Sequence, residues 1–96
     1  MFDLNIGMEV KTEKDFRAVR EHMNSWRKRF PMFTHDVRKI ESIVENHIQN
    51  HSIALVNYRQ THNRSFLERA QKEIDEINRV VDLAEKAQLM SILSQR

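Results

Sequence analysis

Apolar and polar residues alternate without exception near the start of the chain. The apolar positions are Phe2, Leu4, Ile6, Met8 and Val10. A period of two predicts an extended strand with one apolar face. No other segment alternates in this way, so the strand would have to pair with a second subunit or with another protein. The alternative is an extended arm, residues 1–11, that lies on the helices.

The pattern changes to that of a helix after residue 11. Thr12 and Asp15 have the spacing of a capping box, which satisfies free backbone N–H groups at a helix N-terminus. Apolar residues then recur at spacings of 3, 4, 3 and 4, namely Phe16, Val19, Met23, Trp26 and Phe30. These spacings put all of them on one helical face. They predict helix 1 over residues 12–30, which ends before Pro31 and has Trp26 in the core.

Two longer amphipathic segments follow. Helix 2 is predicted over residues 34–61, with Thr34 placed to cap it. Helix 3 is predicted over residues 65–93, beginning with a second capping box at Ser65. Their equal lengths and short connection, which Asn63 could close in the left-handed conformation, favour an antiparallel hairpin. One continuous helix from residue 34 to residue 93 is the alternative.

Composition supports a helical protein. The 96 residues include one glycine and one proline, whereas a sheet needs turn residues at regular intervals. We therefore predict a single all-α domain over residues 1–96, a small helical bundle with an N-terminal extended arm or strand. Without cysteine the chain has neither disulfides nor thiolate metal sites. It lacks the features of a signal peptide, and no apolar run is long enough to cross a bilayer, so we expect a cytoplasmic protein.

Both long helices have apolar residues outside their main stripes. A helix that is apolar on more than one side is buried on more than one side, and a three-helix monomer offers each helix a single inward face. The chain is therefore predicted to form a homodimer and to bind a protein partner, unless these residues are ordinary scattered surface positions. The predicted contact residues, arm included, are Phe2, Leu4, Ile6, Ile53, Val56, Leu83, Met90 and Leu93.

Positive charge is concentrated in the first third of the chain. The formal net charge is +2, but residues 11–39 alone carry nine basic and four acidic side chains. A basic helix face can neutralise phosphates. Candidate nucleic-acid contacts are Arg17, Arg20, Arg27, Lys28, Arg29, Arg38 and Lys39. Because the chain has no zinc-finger, basic-zipper or RNA-recognition motif, a solvated basic face is the alternative.

Two histidines have a spacing that metal sites use. His47 and His51 are four residues apart, which places both imidazoles on one helical face. No third ligand stands at a suitable spacing, so we favour a polar layer in an apolar seam, bonded between the two histidines, to Tyr58 or across the dimer. Such a layer can fix register and respond to pH.

Catalysis has no support in the sequence. There is no glycine-rich phosphate loop, no cysteine nucleophile and no recognisable serine, histidine and acid motif. We therefore expect no cofactor and a non-catalytic adaptor, scaffold or regulatory module. Nucleic-acid binding is the second hypothesis.

Overall fold

A computed structural model of the protein describes the backbone of residues 9–94 and the side chains of residues 9–86. Within that part of the chain all regular structure is helical. The helices are α1 (Phe16–Arg29), α2 (Thr34–Thr61) and α3 (Ser65–Ser94). Short 3-10 turns, Glu13–Asp15 and Pro31–Phe33, precede α1 and α2. The predicted all-α class is therefore confirmed.

The N-terminus of the first helical segment has the predicted capping box. Thr12 has an extended backbone, and its hydroxyl accepts a hydrogen bond from the N–H of Lys14. The Asp15 carboxylate accepts from the N–H groups of Lys11 at 2.9 Å and Thr12 at 3.2 Å. The bond from Lys11 has the larger effect on the pKa of Asp15, and the bond from Thr12 the smaller. Both stabilise the ionised form and hold this pKa below its ordinary value.

We expect Asp15→Asn to reduce the acid sensitivity of the fold. Because the folded pKa of Asp15 is lowered, ionised Asp15 contributes stability above its ordinary pKa of 3.8. That contribution is lost as the pH falls through the lowered value. The variant should therefore have a lower Tm at neutral pH and a shallower fall of Tm below about pH 4. Thermal unfolding followed by circular dichroism at several pH values measures this. Asp75→Asn is the control, and parallel curves for Asp15→Asn and wild type would contradict the prediction.

The junction between α1 and α2 differs from the expected cap. Phe30 leaves the helical region just before Pro31, and its N–H donates to the carbonyl of Trp26 at 2.7 Å. Thr34 does not cap α2, because its own backbone is already helical (φ −54°, ψ −39°). Its hydroxyl instead donates to the carbonyl of Pro31 at 2.7 Å and so closes the preceding 3-10 turn.

Residues 62–64 separate α2 from α3, and the two residues that were expected to cap these helices have other positions. His62, not Asn63, takes the left-handed conformation (φ 56°) and donates its N–H to the Tyr58 carbonyl. Asn63 instead caps the N-terminus of α3, since its side-chain oxygen accepts a hydrogen bond from the N–H of Ser65 at 3.0 Å. Ser65 is therefore inside the helix and not at its cap. The chain is not one continuous helix between residues 34 and 93.

The helices enclose one apolar core, with α2 and α3 in contact along their lengths and α1 packed on α2. The buried apolar residues are Val10, Phe16, Val19, Met23, Trp26, Val37, Val44, Ile48, Ala54, Ala70, Ile74, Ile77, Val81 and Ala84. None of the described helices has a stretch apolar and long enough to cross a membrane.

Helix α1 covers only part of α2. Phe16, the first residue of α1, packs its ring edge-on against the His51 ring, with centroids 5.1 Å apart. Since α1 has 14 residues and α2 has 28, the end of α2 beyond His51 extends past α1. We call residues 52–72 the hairpin end. Among the described residues, no third α-helix lies beside the last turns of α2 and the first turns of α3.

Within the described segment before α1, residues 9–15, Val10 is bonded to α3. Val10 is 2 % exposed, and its N–H donates to Oδ1 of Asn78 at 2.6 Å. The Val10 carbonyl accepts from Nδ2 of the same side chain at 2.8 Å. One amide thus satisfies both backbone groups that a neighbouring strand would otherwise bond. The arm positions Phe2, Leu4 and Ile6 lie outside the described residues, so the predicted strand stays a prediction.

Candidate interaction surfaces

Two of the candidate nucleic-acid contacts are bound to carboxylates of α2. Arg20 donates to both oxygens of Glu45, from Nε at 2.6 Å and from Nη2 at 3.0 Å. Arg27 donates from Nη2 to Glu41 at 2.6 Å. The Arg20 bonds lower the pKa of Glu45 and raise that of Arg20, because each charged group stabilises the other. These pairs connect α1 to α2.

The other basic candidates are spread over the surface. Arg17 pairs with Glu21 at 3.5 Å, and both side chains are highly exposed. The Arg29 guanidinium lies 5.5 Å from the centroid of the Phe30 ring. The remaining three, Lys28, Arg38 and Lys39, are exposed. Carboxylates therefore interrupt the predicted basic face, although four of its cations, Arg29 included, have no carboxylate partner among the described residues.

The two candidate histidine ligands have different surroundings. His47 bonds through Nδ1 to Oε2 of Glu73 at 2.5 Å, which joins α2 to α3. His51 is 5 % exposed and its Nδ1 has no hydrogen-bond partner among the described residues. The ring of Tyr58 packs against the ring of His62, with centroids 6.1 Å apart. The described part of the chain contains no group of three or more side chains suited to hold a metal ion.

A second histidine–carboxylate pair was missed in the sequence. His22 Nε2 bonds to Oε1 of Glu85, which joins α1 to α3, and the two side chains are 19 % and 8 % exposed. The position of Glu85 in the sequence could have indicated this pair. Glu85 follows Val81 by four residues and therefore lies on the apolar face of α3. Each of the other two helices is thus connected to α3 by one such pair.

The predicted apolar contact residues that the structure describes are exposed. Ile53 is 51 % exposed, Val56 is 48 % exposed and Leu83 is 52 % exposed. The side chains of Met90 and Leu93 are outside the described part. Two further exposed apolar residues, Met32 and Ile43, were not among the predicted contacts.

These exposed residues form two separate surfaces. The His47–Glu73 bond shows that these two residues lie at the same level along the axes of α2 and α3. Ile53 lies six residues beyond that level toward the hairpin end, and Leu83 lies ten residues beyond it in the opposite direction. At 1.5 Å per residue the two are about 24 Å apart along the bundle. Ile53 and Val56 therefore belong to the hairpin end, and Leu83 belongs to the distal part of α3.

The hairpin end is basic. Its charged residues are four exposed cations and one exposed carboxylate, namely Arg59, Arg64, Arg69, Lys72 and Glu68. No ion pair found among the described residues involves any of the four cations. The sequence predicted a basic region in the first third of the chain only. The cations of the hairpin end were not recognised as a cluster, because they are distributed over two helices and a turn.

The chain matches no protein-family model, and no curated protein or solved structure is significantly similar to it.

Proposed function

We propose that this protein is a non-catalytic interaction module, an adaptor, scaffold or regulatory protein that acts as a helical homodimer. The observation that carries the proposal is the exposure of Ile53, Val56 and Leu83 on helices whose opposite faces fill the core. Side chains of this size gain free energy when they are removed from water, and a partner surface removes them. A cytoplasmic location stays a prediction.

The distal part of α3 is the proposed dimer contact. After Leu83 the helix continues to Ser94, and residues 87–94 include no charged side chain. Two predicted contacts, Met90 and Leu93, stand in this uncharged stretch. A symmetric dimer brings each patch against its own copy, so the uncharged residues 87–94 avoid repulsion between like groups.

Leu83→Glu should convert the dimer into a monomer. The substitution puts a carboxylate into the proposed contact of both subunits, which should weaken association by roughly a hundredfold or more. Light scattering during gel filtration should give about twice the 11.6 kDa chain mass for wild type and the single mass for the variant.

Ile53→Glu is the matched control for the dimer test. It makes the same change at an equally exposed position of α2. The control variant should keep the wild-type mass, and circular dichroism should show that both variants remain helical. A monomeric wild type would refute the dimer, and dissociation by Ile53→Glu alone would move the dimer contact to the hairpin end.

Nucleic-acid binding is the weaker candidate, because carboxylates already occupy Arg20 and Arg27.

A further inference from the structure

We propose that the hairpin end binds an acidic amphipathic segment of a second protein. The inference rests on the proposed function as an interaction module, and it gives the class of partner for one of the two exposed surfaces. Three properties of residues 52–72 carry it: an uncovered apolar surface, cations that have no carboxylate partner, and a charge that disfavours self-association.

The apolar side chains lie beyond the part of α2 that α1 reaches. Helix α1 begins at Phe16, beside His51, and Ile53 and Val56 of α2 follow that point and are about half exposed. Leu67, in the first turn of α3, is also exposed. A bound segment that placed apolar side chains on these residues would remove them from water.

Cations stand next to these apolar side chains. Residues three apart on a helix are neighbours on its surface. By this spacing Arg59 adjoins Val56 at the end of α2, and Arg69 adjoins the half-buried Phe66 on α3. Arg64 stands in the turn just before α3. The hairpin end therefore has both exposed apolar and exposed basic side chains, a combination that fits a segment with apolar and acidic side chains.

Several cations elsewhere on the protein are paired with carboxylates, whereas those of the hairpin end are not, a property that they share with Lys28, Arg38 and Lys39 in the described part of the chain. Arg20 and Arg27 on α1, and Arg79 and Lys86 later in α3, are each within 4 Å of a carboxylate. The four cations of the hairpin end have no such contact among the described residues, and Glu68 is the single acid there. Carboxylates of a partner would supply the missing charges and would also speed association.

A second copy of the chain is a poor occupant of this surface. In a symmetric contact the four cations of one copy would face those of the other, which is repulsive. Nucleic acid would satisfy the cations but would leave Ile53, Val56 and Leu67 in water. An acidic amphipathic protein segment satisfies both features.

The test uses the full chain and short fluorescent probes, with anisotropy measured at low and moderate salt. The main probe is a peptide with leucine and glutamate at helical spacing, and its control has lysine at every glutamate. Wild-type protein should bind the acidic peptide, more weakly as salt rises, and should not bind the basic one. Arg64→Glu with Arg69→Glu should weaken binding roughly tenfold, since each reversal replaces an attraction to the acidic peptide by a repulsion.

A matched pair of substitutions controls for net charge. Lys28→Glu with Arg38→Glu makes the same charge change away from the hairpin end, and it should alter binding by less than about twofold. Val56→Ser should also weaken binding of the acidic peptide, because the apolar contact is part of the site.

Three results would overturn the proposal. The first is that wild-type protein does not bind the acidic peptide. The second is that the two charge-reversal pairs reduce the affinity for this peptide equally. The third is that the protein binds duplex DNA or phosphatidylserine vesicles more tightly than the peptide, through Arg64 and Arg69. Failure of this inference is separable from failure of the dimer. The Arg64 and Arg69 substitutions should leave the solution mass unchanged, whereas Leu83→Glu should change the mass but not affect peptide binding to the hairpin end.

Discussion

Trp26→Ala should destabilise the fold by about 3–5 kcal/mol. Trp26 is 1 % exposed and is the largest of the fully buried side chains. The edge of its ring meets the His22 ring, with centroids 5.5 Å apart. Truncation leaves a cavity that the surrounding helices fill only in part. Since small domains are stable by about 5–15 kcal/mol in total, the variant should be partly unfolded at physiological temperature.

Urea denaturation followed by circular dichroism measures this effect, and two variants provide controls. Trp26→Phe keeps an aromatic ring in the same site and should lose considerably less stability than Trp26→Ala. Met32→Ala changes a side chain that is 74 % exposed and should stay within about 0.5 kcal/mol of wild type. If Trp26→Ala lost no more than Met32→Ala, α1 would not be packed in the way that the buried position of Trp26 requires.

The fold class and the buried face of α1 could be predicted because both depend on local sequence. Spacings of three and four put Phe16, Val19, Met23 and Trp26 on one face, and all four are buried. The Thr12–Asp15 capping box was equally readable, since all of its donors and acceptors lie within five residues. Helical periodicity and caps require no knowledge of where the other helices are.

The helix ends around residue 63 show the limit of local reasoning. Asn63 is suited both to the left-handed end of one helix and to the cap of the next. The structure uses it for the second purpose and gives the left-handed conformation to His62. The difference is one residue along the chain, which propensities of single residues do not resolve.

Contacts between helices were the least predictable part of the candidate site. Arg20 could be recognised as a surface cation, but its pairing with Glu45 depends on the rotation and axial offset of α1 against α2. The bond between His22 and Glu85 likewise joins residues distant in sequence. A single sequence with helical periodicity contains no information on these offsets. The seven basic candidates therefore looked like one face, although two of them are bound to carboxylates.

The second apolar face was predicted from sequence, but its position in the fold was not. From the sequence, Ile53, Val56 and Leu83 were all attributed to contacts of one assembly. The structure separates them along the bundle. Ile53 and Val56 lie on α2 beyond the part that the 14-residue α1 reaches, while Leu83 lies on the outer side of α3. One assembly need not cover both surfaces.

Asn78→Ala should lower the free energy of unfolding by about 2–3 kcal/mol. The Asn78 amide makes two hydrogen bonds to Val10, and its removal leaves a buried backbone N–H and carbonyl without partners. Val10 belongs to the core cluster, so loss of these bonds should also release its side chain from the core. The measurements are urea denaturation and hydrogen exchange of the Val10 amide, which should become fast in the variant.

Two further variants separate the role of this amide from a general effect on helix stability. Asn24→Ala, on the exposed side of α1, should leave stability unchanged or slightly raised, because alanine favours helix. Asn78→Asp keeps an acceptor for the Val10 N–H but places a carboxylate against the Val10 carbonyl, so it should lose the bond at that carbonyl alone. Slow exchange of the Val10 amide in Asn78→Ala would mean that other contacts hold the segment before α1. Fast exchange would establish that Asn78 holds Val10, and with it the segment just before α1, against α3.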